Sequence, residues 1–154
     1  MTTFLSIDPG TTTGIAWWDS ATDEFGALQI RGRRNFQRYL LDDWHLGIGE
    51  MWETTPDDLE VIAERWDVRK DTHGKSAQED PRYILGGLDL VCYLQEIPYH
   101  EQTPAQAKSF CGNDKLRTLG WYTGGEGHAD DAARHLVTFL AKHPKGGPIR
   151  EAIV

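Results

Sequence analysis

The segment Ile7-Asp8-Pro9-Gly10-Thr11-Thr12-Thr13-Gly14 constrains this chain more than any other. An apolar run, Phe4-Leu5-Ser6-Ile7, ends in one carboxylate. A turn of Pro, Gly and Thr residues follows at once, and a second apolar run, Ile15-Ala16-Trp17-Trp18, begins. Short apolar runs bounded by turn residues read as strands, so the pair reads as a hairpin with Asp8 at its rim. A rim carboxylate suits two chemistries: holding a divalent metal for phosphodiester cleavage, or cradling a nucleotide phosphate. Taken alone, Asp8-Pro9-Gly10 is also an ordinary turn.

The rest of the chain supplies further strands and helices. Glu24 to Ile30 follows the turn at Asp19 to Asp23 and reads as a third strand of a meander. Asn35 to about Leu46 carries Phe36, Tyr39, Leu40 and Trp44 near helical spacing. Leu59 to Ala63 is a β-branched run, a buried strand that ends at Glu64. Pro81 starts a helix whose stripe is Ile84, Leu88, Val91 and Gln95. Gly86-Gly87 inside it costs about 1 kcal/mol per residue against Ala, which predicts a close neighbour, either another helix or a bound strand. Tyr99 to Thr103 reads as a short strand, and Pro104 opens a small helix through Phe110. Gly127-His128-Ala129-Asp130 opens the last helix, with the core stripe Ala129, Ala133, Leu136, Val137 and Leu140.

The order predicts an α/β fold, a mixed sheet with helices on its faces. One domain spans residues 1–154, with an insert-like acidic segment at about 35–58, a mobile polar loop at about 67–80 and a short tail over 144–154.

A chain of 154 residues can bury a real core. Cys92 and Cys111 are its only cysteines and form no CxxC, which argues against a zinc site or disulfide framework and fits a reducing, cytoplasmic setting. Met1-Thr2-Thr3 leads directly into a strand without the pattern of a signal peptide. Leu90-Val91-Cys92-Tyr93-Leu94 is far short of a membrane span. The net charge of −8 disfavours a nucleic-acid partner. Between Tyr39 and Glu60, however, there are seven acids and no Lys or Arg, so the rest of the chain is close to neutral. The acidity is local and leaves a DNA or RNA substrate open.

Asp8 and Glu64 each follow a strand. If those strands are parallel neighbours, both acids stand at one edge of the sheet, where open α/β sheets bind their ligands. His128 and Asp131, three residues apart at the start of the last helix, share a face that can turn toward that edge. Three carboxylates and an imidazole at one rim suit Mg²⁺ or Mn²⁺. Two such ions can activate a water and stabilise a leaving 3′ oxygen, with His128 either a ligand or an orienting group for the water. Each residue has an ordinary reading too: Glu64 as a solvated charge, His128 as a structural histidine, and Asp130 as the cap of the last helix. Only their co-occurrence at the predicted edge favours the functional one.

These residues resemble a known family. Ile7-Asp8-Pro9-Gly10 with Gly14, Ile62-Ala63-Glu64, and His128-x-x-Asp131-Ala132-Ala133 look like the catalytic motifs of RuvC-type Holliday junction resolvases, in the RNase H-like nuclease superfamily. The glycine-bearing helix Arg82 to Gln95, then Pro98-Tyr99, then Pro104-Ala105-Gln106-Ala107-Lys108 follow in the family's order. The chain resembles a compact phage-type member. The resemblance implies an RNase H-like fold with a five-stranded mixed sheet, a three-strand antiparallel meander plus two parallel strands. It implies dependence on two Mg²⁺ or Mn²⁺ ions, no small-molecule cofactor, and nicking of branched DNA by a homodimer. Carried over by position, Asp8, Glu64 and Asp131 are metal-binding catalytic acids, His128 fills the fourth place, and Lys108, with Lys115, contacts the phosphate near the scissile bond. The acidic stretch Asn35 to Asp58 and the overall acidity depart from the family pattern.

Two basic clusters stand out: Arg31, Arg33, Arg34 and Arg38, and, just beyond Glu64, Arg65, Arg69, Lys70 and Lys75. The second flanks the expected site and is a candidate DNA contact, with solvation of a polar loop an equal reading. Trp66 either stacks on an unpaired base or packs on the core. Competing functions are a pre-ribosomal-RNA processing nuclease, which shares the strand–Asp–x–Gly opening, and an inactive junction-binding module. An actin-like ATPase is a third, but its nucleotide needs two such hairpins and one is visible here.

Overall fold

A computed structural model describes residues 2–46, 58–66 and 79–154. Five strands, β1 (Thr3–Asp8), β2 (Thr12–Asp19), β3 (Phe25–Arg31), β4 (Leu59–Glu64) and β5 (Tyr99–Gln102), form one sheet in the order β3-β2-β1-β4-β5. β1, β2 and β3 are antiparallel neighbours, while β4 runs parallel to β1 and β5 parallel to β4. The mixed sheet expected from the sequence is therefore present, with β1 at its centre.

Helices cover both faces. α1 (Arg33–Asp43) and α2 (Glu79–Leu94) pack on one side against Leu5, Ile7, Ile15 and Val61. α5 (Gly127–Leu140) packs on the other against Phe4, Ala16, Trp18 and Ile62, joined by Leu116 and Ile149. Strand alternation produces the two cores: successive residues of β1 point to opposite faces, so Phe4, Ser6 and Asp8 share the α5 side. α3 (Pro104–Phe110), α4 (Asn113–Leu119) and α6 (Gly147–Ile153) complete the chain.

Two close approaches seat α5. A Cβ on Gly14 of β2 would lie 1.8 Å from the carbonyl oxygen of His128, and one on Gly146 would lie 1.7 Å from that of Leu140. Backbone meets backbone at both ends of the helix, and only glycine fits. Between them, the Ser6 hydroxyl donates to the Ala132 carbonyl at 2.7 Å.

Several expectations are corrected. α1 ends at Asp43, and α2 begins at Glu79, inside the expected loop, with acids in its first turn. The supposed tail is a 3₁₀ turn followed by α6, and Ile149 is buried; Pro148 stands near the start of that helix, where its missing N–H costs nothing. α4 was not anticipated. Gly86 and Gly87 are exposed, and among the described residues nothing lies within 4 Å of a Cβ at either. Asp130 does not cap α5; its carboxylate accepts from the Thr123 backbone N–H at 2.8 Å and ties the preceding loop to the helix. Segments 47–57 and 67–78, with the rest of the expected acidic insert and polar loop, lie outside the described residues. Cys92 and Cys111 are free and buried, and among the described residues no helix is long and apolar enough to cross a membrane.

Candidate active site

Strand register brings the site together. Asp8 pairs with Gly14, Ile7 pairs with Ala63, and Glu64 pairs with Gln102. One further step along the β1–β4 register sets Asp8 beside Glu64. A row Gly14–Asp8–Glu64–Gln102 thus crosses four strands at one rim, and alternation points all four toward α5. The turn before β2 is held by Thr13, whose hydroxyl donates to the Gly10 carbonyl at 3.3 Å.

α5 adds the remaining groups. Its first turn sits on Gly14, so His128 reaches Asp8, Nδ1 to Oδ2 at 3.4 Å. Asp131, one turn on, is held by Arg134 at 2.5 Å, and Arg134 also donates to Asn113 at the start of α4. Lys108 comes from α3. There the Gln106 side chain accepts from the Thr103 N–H at 2.8 Å while the Thr103 hydroxyl accepts from the Gln106 N–H at 3.3 Å. This reciprocal cap fixes the helix that carries Lys108. The glutamine of the expected Gln-x-Lys motif is therefore a capping residue.

The electrostatics at the rim are unfavourable to negative charge. The Asp8 carboxyl is pushed up to about 8, first by its burial and then by the neighbouring charges of Glu64 and Asp131; the Lys108 ammonium pulls it partly back. Three carboxylates from remote stretches of chain therefore feel one another at one rim. As the side chains are turned, each acid faces a protein partner, and among the described residues no three His, Cys, Asp or Glu groups surround a single ion position. By chemistry, the three carboxylates and His128 fit a hard divalent cation: oxygen donors are its preferred ligands, and a cation relieves the repulsion that raises Asp8.

Other expected residues sit as follows. The Lys115 ammonium donates to the Phe110 carbonyl at 2.6 Å and lies over the Phe110 ring, so it closes the end of α3. Trp66 is half-buried, with the Arg82 guanidinium 5.7 Å from its ring centroid. Arg65 is exposed, and its backbone N–H extends the β4–β5 pairing to Gln102. In the first basic cluster, Arg33 lies 3.8 Å from Asp80 and stacks over Tyr83. Arg69, Lys70 and Lys75 lie outside the described residues.

Sequence reasoning missed one residue at the rim. His135 on α5, 1 % exposed, sets Nε2 at 2.7 Å from Glu64 Oε2 and Nδ1 at 3.2 Å from Gln102 Oε1. Its position four residues after Asp131, one helical turn, was the available signal.

No family model and no curated protein matches the sequence. Among solved structures, RuvC of Thermus thermophilus in complex with a Holliday junction substrate superposes with a TM-score of 0.66 at 14% identity, over 94% of this chain and 98% of that one. Thermus thermophilus RuvC in a second structure gives a TM-score of 0.56 at 15% identity, over 88% of this chain and 92% of that one. The chain has a RuvC-type, RNase H-like fold.

Proposed function

We propose that the chain is a divalent-metal-dependent endonuclease that cleaves phosphodiester bonds in branched DNA, Holliday junctions or related forks and flaps. The observation that carries this reading is the crowding at the rim: Asp8, buried and raised to about 8, beside the charges of Glu64 and Asp131. Crowded acids with a raised carboxyl in their midst are the arrangement that a cation or a substrate completes. The likeness to a RuvC bound to a Holliday junction supports the choice of substrate.

Asp8, Glu64, Asp131 and His128 are the residues that would hold Mg²⁺ or Mn²⁺, as two ions. Bound there, the metal supplies an activated water and stabilisation of the leaving 3′ oxygen. Burial of Asp8 keeps its ligand atoms out of bulk water. His128, half-exposed beside it, is free to orient a water at the rim. Lys108, exposed and within electrostatic reach of Asp8, offers its ammonium to the phosphate beside the scissile bond. Arg65, Arg69, Lys70 and Lys75, with Trp66, follow Glu64 in the chain and would track the DNA backbone. Lys115, tied to Phe110, serves DNA by steadying α3.

The partner that suits the outer face of α2 is a second copy of the chain. Tyr83, Leu90, Tyr93 and Leu94 are exposed there, and Gly86 and Gly87 permit close backbone approach. Free, buried cysteines fit action in the cytoplasm of a bacterium or phage-infected host.

The test is cleavage of a four-way junction with Mg²⁺ or Mn²⁺. Asp8→Asn or Asp131→Asn is expected to lower the rate about a thousandfold or more while junction binding persists. Asn variants that cut like the parent overturn the assignment.

A further inference from the structure

We infer that His135 is a positioning residue for Glu64. The inference rests on the nuclease reading above, in which Glu64 is a metal ligand.

The ring is bonded at both nitrogens by residues that are themselves register partners: Glu64 at Nε2 and Gln102 at Nδ1, on adjacent strands β4 and β5. Its backbone belongs to α5, which is clamped to the sheet at Gly14 and Ser6 and backed at its far end by the turn at Gly146. The contact therefore joins three rigid elements and has little freedom to move. It engages one Glu64 oxygen, Oε2, and so restrains where the carboxylate lies at the rim.

A core role alone does not account for an imidazole here. Most other buried positions on α5, Ala129, Ala132, Ala133, Leu136, Val137 and Leu140, fill space without polar atoms. Of the buried polar ones, Thr138 returns its hydroxyl to the Arg134 carbonyl of the same helix and Asp130 serves the preceding loop, so His135 alone of these reaches the sheet. A buried polar ring adds a desolvation cost that apolar residues avoid, and is tolerated because both nitrogens find partners. The imidazole occurs where the helix passes the rim carboxylate. Groups that hydrogen-bond a metal ligand from behind fix its direction, and their loss typically weakens metal affinity 10–100-fold. Asp131 is served differently, by Arg134 on its own helix, so His135 is the cross-element support of the site.

The experiment uses the 154-residue chain and three variants: His135→Leu, His135→Gln and His135→Asn. Mn²⁺ binding is measured by calorimetry without DNA, junction cleavage by kcat, and folding by thermal melting. His135→Leu is expected to lose about 10–100-fold in Mn²⁺ affinity and a similar factor in kcat, with junction binding unchanged. His135→Gln, whose amide nitrogen reaches the Nε2 position, is expected to recover most of both. His135→Asn, whose shorter amide reaches the Nδ1 position only, is expected to match His135→Leu, and replaces it in the comparison if the Leu variant does not fold. A Leu variant that binds Mn²⁺ and cuts like the parent overturns the inference, as do Gln and Asn variants that lose equally. A parent that neither binds Mn²⁺ nor cuts junctions overturns the nuclease reading and this inference with it. A competent parent beside an unaffected Leu variant overturns this inference alone.

Discussion

Strand β4 carries a glutamate near each end, both on the face covered by α5. Near its start, Glu60 meets two imidazoles: His100 Nε2 at 3.1 Å and His143 Nε2 at 3.4 Å, one on each oxygen. His143 Nδ1 accepts from the Lys145 N–H at 3.2 Å, which leaves Nε2 as the donor to Glu60. Phe4 and Phe139 wall the ring in. At its end, Glu64 meets one imidazole and shares the rim with Asp8 and Asp131, and Asp8 remains raised to about 8. Both regions are carboxylate–histidine clusters on one strand. The first has a donor for each acceptor and holds the fold. The second has acids to spare, and that surplus marks chemistry. A partly buried acid with its partners in place says little about function; several acids crowded together say more.

The sharpest way to break the comparison is to disturb one end of α5 at a time. Gly14→Ala drives a Cβ into the His128 carbonyl, and Gly146→Ala drives one into the Leu140 carbonyl. Each is expected to cost on the order of 3 kcal/mol in urea melts. At temperatures where both variants are folded, only Gly14→Ala should lose junction cleavage, because it lifts His128 and Asp131 from the rim. Equal cleavage per folded molecule would show that the two ends of the helix are not functionally distinct.

The next effect concerns pH. Burial and the neighbouring acids hold the folded Asp8 carboxyl at about 8, while the unfolded one keeps the ordinary aspartate value of 3.8. The folded chain therefore retains a proton that the unfolded chain releases, and stability is lost as pH rises from about 4 through about 8. Asp8→Asn removes that loss. Melts in EDTA should find the variant more stable than the parent by a few kcal/mol at pH 8, with the gap closing near pH 4. A gap that does not change with pH would contradict the crowding on which the nuclease reading stands.

The smallest effect is at the satisfied cluster. Glu60→Gln keeps an acceptor but loses the charge, and should cost about 1 kcal/mol by thermal melting. Cleavage should stay within about twofold of the parent. A large loss of cleavage with stability intact would give Glu60 a role in the reaction and erase the distinction.

Much of this was legible in the chain, for reasons that differ by element. The hairpin around Asp8 could be read because Pro9, Gly10 and the Thr run separate two apolar runs. Glu64 could be placed because a β-branched run ends there, and β1–β4 pairing sets it at the same edge as Asp8. His128 and Asp131 share a helix face by spacing alone. α4 was missed because its seven residues between Gly112 and Gly120 show too little periodicity. α6 was missed because Gly146, Gly147 and Pro148 have the look of a helix stop, whereas Gly147 and Pro148 open a helix. His135 was missed because a polar residue beside a core stripe looks solvated until the neighbouring strand is known. Asp130 was misassigned because helix-start statistics favour capping, whereas the loop at Thr123 takes its carboxylate.

The contact between His128 and Asp8 joins residues 120 apart in sequence, and Ser6 meets Ala132 across 126. Asp8 is made well before Asp131, with strands β2 to β5 between them in sequence. Until α5 is made, the growing chain holds an incomplete rim with no helix to close it. The centre of the sheet and its chemistry thus arise together, in a folding event slowed by the long loop it must close.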